Sequence, residues 1–285
     1  MPIKILKNTG GGRRQMSQLT YEELTTDVPE KNLLLRRKEA AGRNNTGRIT
    51  TRHRGSGNAF KIRIVDFGSI DKLNIEATVK TIEYDPGRNA FIMLVYYKDG
   101  EKRYQIAPEG IKVGDVIVTA KRAKAKLGNR MQLINIPIGF EIYCVQINPS
   151  KTGQMAKSAG NSAKLVSLDG ELAQVQLPSG EVRFVHKFCY ASVGRISNAD
   201  YQNVSIGKAG RNRWRRQRPE VRGKVMNPVD HPHGGGEGKN PIGMKYPKTP
   251  WGLHALGVKT RRRSKPSDRL IVRTRKGRAL IKDNA

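Results

Sequence analysis

Residues 205–285 carry 22 basic residues against five acidic ones, half of the chain's 14 prolines, and both tryptophans, Trp214 and Trp251. Few apolar positions recur there at a helical or strand period, so this stretch cannot bury enough surface to build an ordinary core. A bland linker would rarely keep two tryptophans. Extended backbone, dense cations and scattered flat rings instead suit a segment that threads between nucleic-acid helices. Arg and Lys neutralise phosphates, Gly allows close approach, and aromatic faces stack on unpaired bases. Residues 1–58 hold 12 basic and five acidic residues, and residues 59–204 hold 20 and 14, an ordinary balance. A central region able to fold therefore carries two basic extensions.

The formal net charge of +30 over 285 residues repels itself until a polyanion neutralises it. An acidic membrane would call for a basic amphipathic helix or a hydrophobic span, and the longest apolar run, residues 90–97, is the length of one buried strand. Met1-Pro2-Ile3-Lys4 lacks the apolar core of a secretion signal and opens no Arg/Ser-rich transit lead. Cys144 and Cys189 lie far apart with no C-x-x-C, which fits a reducing compartment and buried apolar roles. Nucleic acid is the expected partner, with no membrane and no small-molecule substrate, and the cytoplasm is the expected location.

The centre reads as β structure. Phe60-Lys61-Ile62-Arg63-Ile64 alternates apolar and basic residues, the period-two pattern of a half-exposed strand. Residues 77–84 lead into the turn Asp85-Pro86-Gly87-Arg88-Asn89, residues 90–97 return, and Lys98-Asp99-Gly100 suits a tight hairpin before residues 101–107. Residues 113–119 complete five short strands, and the expectation is an OB-fold barrel over 59–125. After a corner at Pro137-Ile138-Gly139, Ala173, Val175 and Leu177 share one face, and Pro178-Ser179-Gly180 turns the chain into residues 181–185. A second, SH3-like barrel is expected over 126–204. The fold class is thus mainly β, an OB-fold barrel followed by an SH3-like barrel, with long basic non-globular extensions at 1–58 and 205–285. Thr20-Tyr21-Glu22-Glu23 has the capping-box pattern and predicts a short helix in the first extension. Residues 208–216 predict one or two basic helical turns, stopped before Pro219.

The segment Asn227-Pro228-Val229-Asp230-His231-Pro232-His233-Gly234-Gly235-Gly236-Glu237-Gly238 admits three chemistries. A metal site would use Asp230, His231, His233 and Glu237, but the alternation on a Pro/Gly scaffold presets no third ligand. The letters of residues 233–236 match an esterase oxyanion motif, which fails for want of any G-x-S-x-G nucleophile. A close RNA contact remains, with glycine amides approaching phosphates and imidazoles bonding or stacking. Gly207-Lys208 and Gly238-Lys239 lack the spacing and the Ser/Thr of a phosphate-binding loop. Arg211, Arg213, Arg215 and Arg216 flank Trp214, joining charge to a stacking face.

The same segment resembles the universal ribosomal protein L-two family in its bacterial form. The likeness extends through Gly42-Arg43-Asn44-Asn45-Thr46-Gly47-Arg48-Ile49-Thr50, Arg52-His53-Arg54-Gly55, Ile82-Glu83-Tyr84-Asp85-Pro86 and Asp99-Gly100-Glu101-Lys102-Arg103-Tyr104. It continues in residues 177–183, Gly207-Lys208-Ala209-Gly210-Arg211, Thr249-Pro250-Trp251-Gly252 and residues 256–261. Local departures are Val258, where the family usually has an aromatic, and an unusually basic 121–130. The resemblance implies two barrels whose basic extensions penetrate large-subunit rRNA near the peptidyl transferase centre, with roles in subunit joining, tRNA positioning and assembly of that centre. Implied partners are large-subunit rRNA, neighbouring ribosomal proteins, the small subunit at the interface, and nearby tRNA. No catalytic residue and no cofactor are expected, any Mg²⁺ being shared with the rRNA.

The expected RNA contacts are Arg43, Arg48, Arg52, His53, Arg54, Lys208, Arg211, Arg213, Trp214, Arg215, Arg222, Asn227, Asp230, His231, His233, Gly234, Gly235, Gly236, Trp251, Arg261, Arg262 and Arg263. The family's much-discussed histidine falls on His231, read here as a residue that organises RNA near the peptidyl transferase centre rather than as a base. Two other classes compete. A metal-dependent nuclease or transferase on His231 and His233 would lose turnover to a chelator, and a general compacting protein would bind duplex DNA as well as folded rRNA.

Overall fold

A computed structural model describes residues 3–55, 57–262, 265–277 and 279. By their contacts the residues divide into a larger unit, 1–38 with 59–208 and 266–285, and a smaller one, 39–58 with 209–265. The larger unit is built of strands. Two short antiparallel pairs lie near its beginning: β1 (Ile3–Ile5) with β2 (Ser17–Leu19), and β3 (Leu34–Arg36) with β4 (Lys61–Arg63).

The first barrel is made by β5 (Glu76–Glu83), β6 (Ile92–Tyr97), β7 (Lys102–Ile106) and β8 (Val116–Val118), antiparallel in the order β7-β6-β5-β8. Its core holds Ala77, Val79, Ile82, Phe91, Met93 and Val95. Ala77 and Val79 share strand parity, whereas Ile82 falls on the opposite parity. A bulge between Val79 and Thr81 resolves this, since one extra residue swaps faces and turns Ile82 inward. The strand expected at residues 60–64 forms as β4 but pairs with β3. Closure on that side comes from Val65, bridged parallel to Tyr104, and from Asp66, whose amide donates to the Tyr104 carbonyl. The outcome is the expected OB-type barrel. The turn after β5 is held by the buried Asp85 carboxylate, which accepts from the Gly87 amide (2.7 Å) and from Arg88 Nε.

The second barrel continues with β9 (Arg130–Gln132), β10 (Glu141–Tyr143), β11 (Val145–Gln146), β12 (Gly153–Met155), β13 (Ala163–Asp169), β14 (Leu172–Gln176), β15 (Val182–His186) and β16 (Tyr190–Val193). With β17 (Ile271–Arg273) at its edge, the main sheet runs β17-β15-β14-β13-β10-β16-β9, and β11 pairs with β12 apart from it. This is the SH3-like barrel. Ala173 and Val175 turn inward as their alternation predicts, among Met131, Leu133, Ile142 and Leu165. A bulge between Leu165 and Ser167 repeats the parity device of β5 and brings Leu168 against that core. Ala90, Ile106, Tyr143, Cys144 and Ile196 form a further buried cluster with residues from both barrels. Both cysteines are buried and unpaired. Burial pushes both thiols up, Cys189 to about 11.

Two sequence expectations change. The capping-box pattern at Thr20 yields a turn instead of a helix: Tyr21 sits at φ 57, the Leu24 amide donates back to the Tyr21 carbonyl (3.1 Å), and both side chains pack on the first core. Burying Tyr21 and Leu24 outweighs a weak local preference. Pairing of β17 with β15 was also not legible, because Ile271–Arg273 is a three-residue strand inside a basic tail. Ile271 is nevertheless buried.

Candidate nucleic-acid interface

The smaller unit joins two stretches far apart in sequence. Residues 53–55 and 57–58 run antiparallel to 214–218, with Arg218 N–H donating to the His53 carbonyl (3.2 Å), Gly55 N–H to Arg216 (3.3 Å) and Asn58 N–H to Trp214 (3.1 Å). Arg216 is the pin of this junction. It is buried at φ 70, ion-paired to Glu39 (2.9 Å), and donates to the Asn58 carbonyl (2.9 Å). A Cβ on Gly57 would lie 2.4 Å from the Arg216 side chain and 2.7 Å from the Trp214 carbonyl, so only glycine passes there. The sequence grouped Arg216 with its neighbours as a surface cation. Its burial and its acidic partner make it structural.

The expected basic turns form as α1 (Ala209–Trp214), carrying Arg211, Arg213 and Trp214, with Arg215 just beyond it. Trp214 is 49% exposed. Arg43 and Arg48 stand on an exposed loop whose shape is set by Asn44, which accepts from the amides of Thr46 and Arg48 (both 3.0 Å). Arg52, His53 and Arg54 follow on the same stretch, also exposed. The Arg52 guanidinium lies 5.3 Å from the Trp251 ring, and Trp251 itself is 75% exposed. Lys208 is exposed but belongs to the larger unit. Arg261 and Arg262 are exposed, and Arg263 lies outside the described residues.

The Asn227–Gly236 loop folds on itself. The Asn227 carbonyl accepts from Asp230 and His231, the His231 carbonyl from Gly234 (2.8 Å), and the Met226 carbonyl from Gly235 (3.1 Å). Two of the three consecutive glycine amides, those of Gly234 and Gly235, are therefore occupied within the loop. Glycine is needed for packing: a Cβ on Gly234 would meet the Asn227 carbonyl oxygen at 2.3 Å. Asn227 and Asp230 remain exposed.

His231 is 7% exposed, and its Nδ1 accepts the His233 amide proton (3.0 Å) with the two rings 4.7 Å apart. His233 Nε2 in turn accepts from the Lys248 amide (2.8 Å). Lys248 begins a hairpin, bridged to His254, that carries Trp251 at its tip. The two imidazoles are thus acceptors that staple the loop to this hairpin. Gly223 and Lys248, both absent from the sequence-based set, complete the arrangement. The Gly223 Cα sits on the face of the His231 ring, and only a lone glycine in a basic stretch hinted at it. Among the described residues, no three of His, Cys, Asp and Glu converge as a metal site, and no helix is long and apolar enough to cross a membrane.

Residues 30–119 match the family model described as Ribosomal Proteins L2, RNA binding N-terminal domain. Residues 126–252 match that of the Ribosomal Proteins L2, C-terminal domain. The chain belongs to the ribosomal protein L2 family. It is accordingly a ribosomal, RNA-binding chain of the translation apparatus. The smaller unit draws residues 39–58 from the L2 N-terminal match and residues 209–252 from the C-terminal one. Its basic residues therefore come from both matched stretches and from residues 253–265 beyond them.

Proposed function

We propose that this chain is a non-catalytic structural constituent of the large ribosomal subunit, binding 23S-type rRNA mainly through the smaller unit. In this reading it supports subunit association, tRNA binding and the organisation of the peptidyl transferase centre, in cytoplasmic ribosomes. One observation carries it: residues 39–58 and 209–265 hold 19 basic residues against four acidic ones, and one of those four, Glu39, is already taken by Arg216. The unit's own carboxylates cannot neutralise its surface, and RNA phosphates can, with release of condensed counterions. Exposed Trp214 and Trp251 add stacking faces. His231 acts by shaping the loop, since its Nδ1 is engaged by the His233 amide and its ring is buried. No resident cofactor is assigned, and any Mg²⁺ is shared with the rRNA.

The test is sucrose-gradient fractionation of cell lysate at rising salt, with the chain followed by immunoblot. Co-migration with the large subunit until high salt strips basic proteins is the expected result. Migration as free protein or with DNA would refute the proposal in favour of a general compacting role.

A further inference from the structure

Resting on that RNA-binding reading, we infer that the smaller unit contains a receiving cleft for one nucleotide extruded from the RNA. A cavity of about 400 Å³ opens within this unit, between residues 41–54 and residues 218–231, with Pro250 at its side. That volume lies in the range of roughly 300–1,000 Å³ typical of small-ligand sites. Arg52, Arg54, Arg218 and Arg222 line it against a single carboxylate, Glu220, so it attracts an anion. Ile49, Val221, Met226 and Pro250 supply apolar wall, which suits the face of a base and not a bare phosphate or a cation.

His231 adds direction. Because Nδ1 accepts the His233 amide, the neutral ring carries its proton on Nε2, and no acceptor for that proton is found among the described residues. His231 lines the cleft, and its Nε2–H is the donor inferred to meet the base beside the apolar wall. Cationic rim, apolar wall and one fixed donor together match a nucleoside phosphate: phosphate on the guanidinium groups, base on the apolar side, a base acceptor on Nε2–H. Single unstacked nucleotides are what proteins read in folded RNA, whereas duplex grooves present no such object. The arginines within reach also offer planar guanidinium groups for stacking.

Val221→Trp fills the cleft without changing charge, and Ile49→Trp does so from a different segment in case the first variant folds poorly. Val28→Trp is the control, on a residue 72% exposed, in the larger unit and outside the lining. Full-length proteins are titrated with refolded large-subunit rRNA across a salt series, with chemical probing of the bound RNA. The expected result is roughly tenfold weaker binding for the two cleft variants at an unchanged salt slope, and renewed reactivity at one nucleotide that the wild type protects. Equal binding by all three variants would overturn the cleft. Displacement of the rRNA by millimolar nucleoside monophosphates, abolished by Val221→Trp, would reassign it to a free nucleotide. A wild type that binds duplex DNA as well as rRNA would instead defeat the underlying RNA reading, and this result is visible in the wild-type arm alone.

Discussion

Replacing Gly223 by Ala tests the histidine staple from outside the histidines themselves. A Cβ at this position would stand 2.5 Å from His231 Cε1 and 2.6 Å from both ring nitrogens. Ordinary contact requires about 3.4 Å or more, so the buried ring must move by roughly 1 Å, which lies beyond what a 3.0 Å hydrogen bond to the His233 amide tolerates. Losing that bond and leaving a part-buried donor unsatisfied costs about 1–3 kcal/mol. Alanine's lower backbone entropy in the unfolded chain returns about 0.4–1 kcal/mol. The net is a local destabilisation of about 1–2 kcal/mol, which speeds exchange of the His233 and Lys248 amides by about tenfold. Amide hydrogen exchange on the full chain reads this directly, and a double-mutant cycle identifies the cause. In a His231→Ala background the clash is gone, so Gly223→Ala there is neutral or slightly stabilising. An additive cycle, or unchanged exchange at both amides in the single variant, would refute the reasoning.

Three further outcomes are expected. Asp66 is opposed by burial, but hydrogen bonds from the Gly68 amide, Arg103 and Ser69 outweigh it and hold its carboxyl below the ordinary range. Its stabilisation is therefore full above the unfolded carboxylate value and lost as pH falls through the lower folded one. Asp66→Asn should lose about 2 kcal/mol at neutral pH and show a shallower acid limb in urea melts at stepped pH. Inserting one residue between Thr81 and Ile82 slips the register by one and returns Ile82 to the outer face, lowering stability by at least about 1.5–3 kcal/mol, seen as an earlier urea midpoint, whereas deleting the bulge residue Lys80 leaves Ile82 opposite Met93 and facing in. Cys144 and Cys189 should both resist a thiol reagent in the native chain and react stoichiometrically in denaturant, since both are buried with their thiols pushed up.

The barrels were legible because period-two patterning writes a half-buried strand directly into the sequence, as at residues 172–176. Less legible was the parity change inside β5 and β13, where a bulge lets Ile82 and Leu168 break alternation and still face a core. The three-residue β17 carries too little periodicity to stand out. Composition located the basic unit but could not sort its members. Arg216 and Arg215 are adjacent and chemically identical, yet Arg216 is pinned by Glu39, 177 positions earlier, and Arg215 is exposed. Only a long-range contact separates them. The glycine run likewise suggested amides aimed at phosphate, while the fold uses Gly234 and Gly235 to close a loop on itself.

That division of labour explains how so cationic a unit keeps a defined shape. Like charges at the surface oppose compaction, and the few apolar groups available bury little area. Shape must then come from interactions that charge repulsion disturbs least: backbone pairing of His53, Gly55 and Asn58 with residues 214–218, glycines at crossings too close for a Cβ, and imidazoles accepting backbone hydrogen bonds. Each is short-ranged, and the Arg216–Glu39 pair adds an opposite charge. Exposed cations such as Arg43, Arg48, Arg52, Arg54 and Arg222 are thereby carried on a frame held by other means. Removing one exposed arginine should weaken RNA binding and reduce the salt slope by about one, whereas disturbing the frame at Gly223 or Arg216 should weaken binding by misplacing many contacts at once.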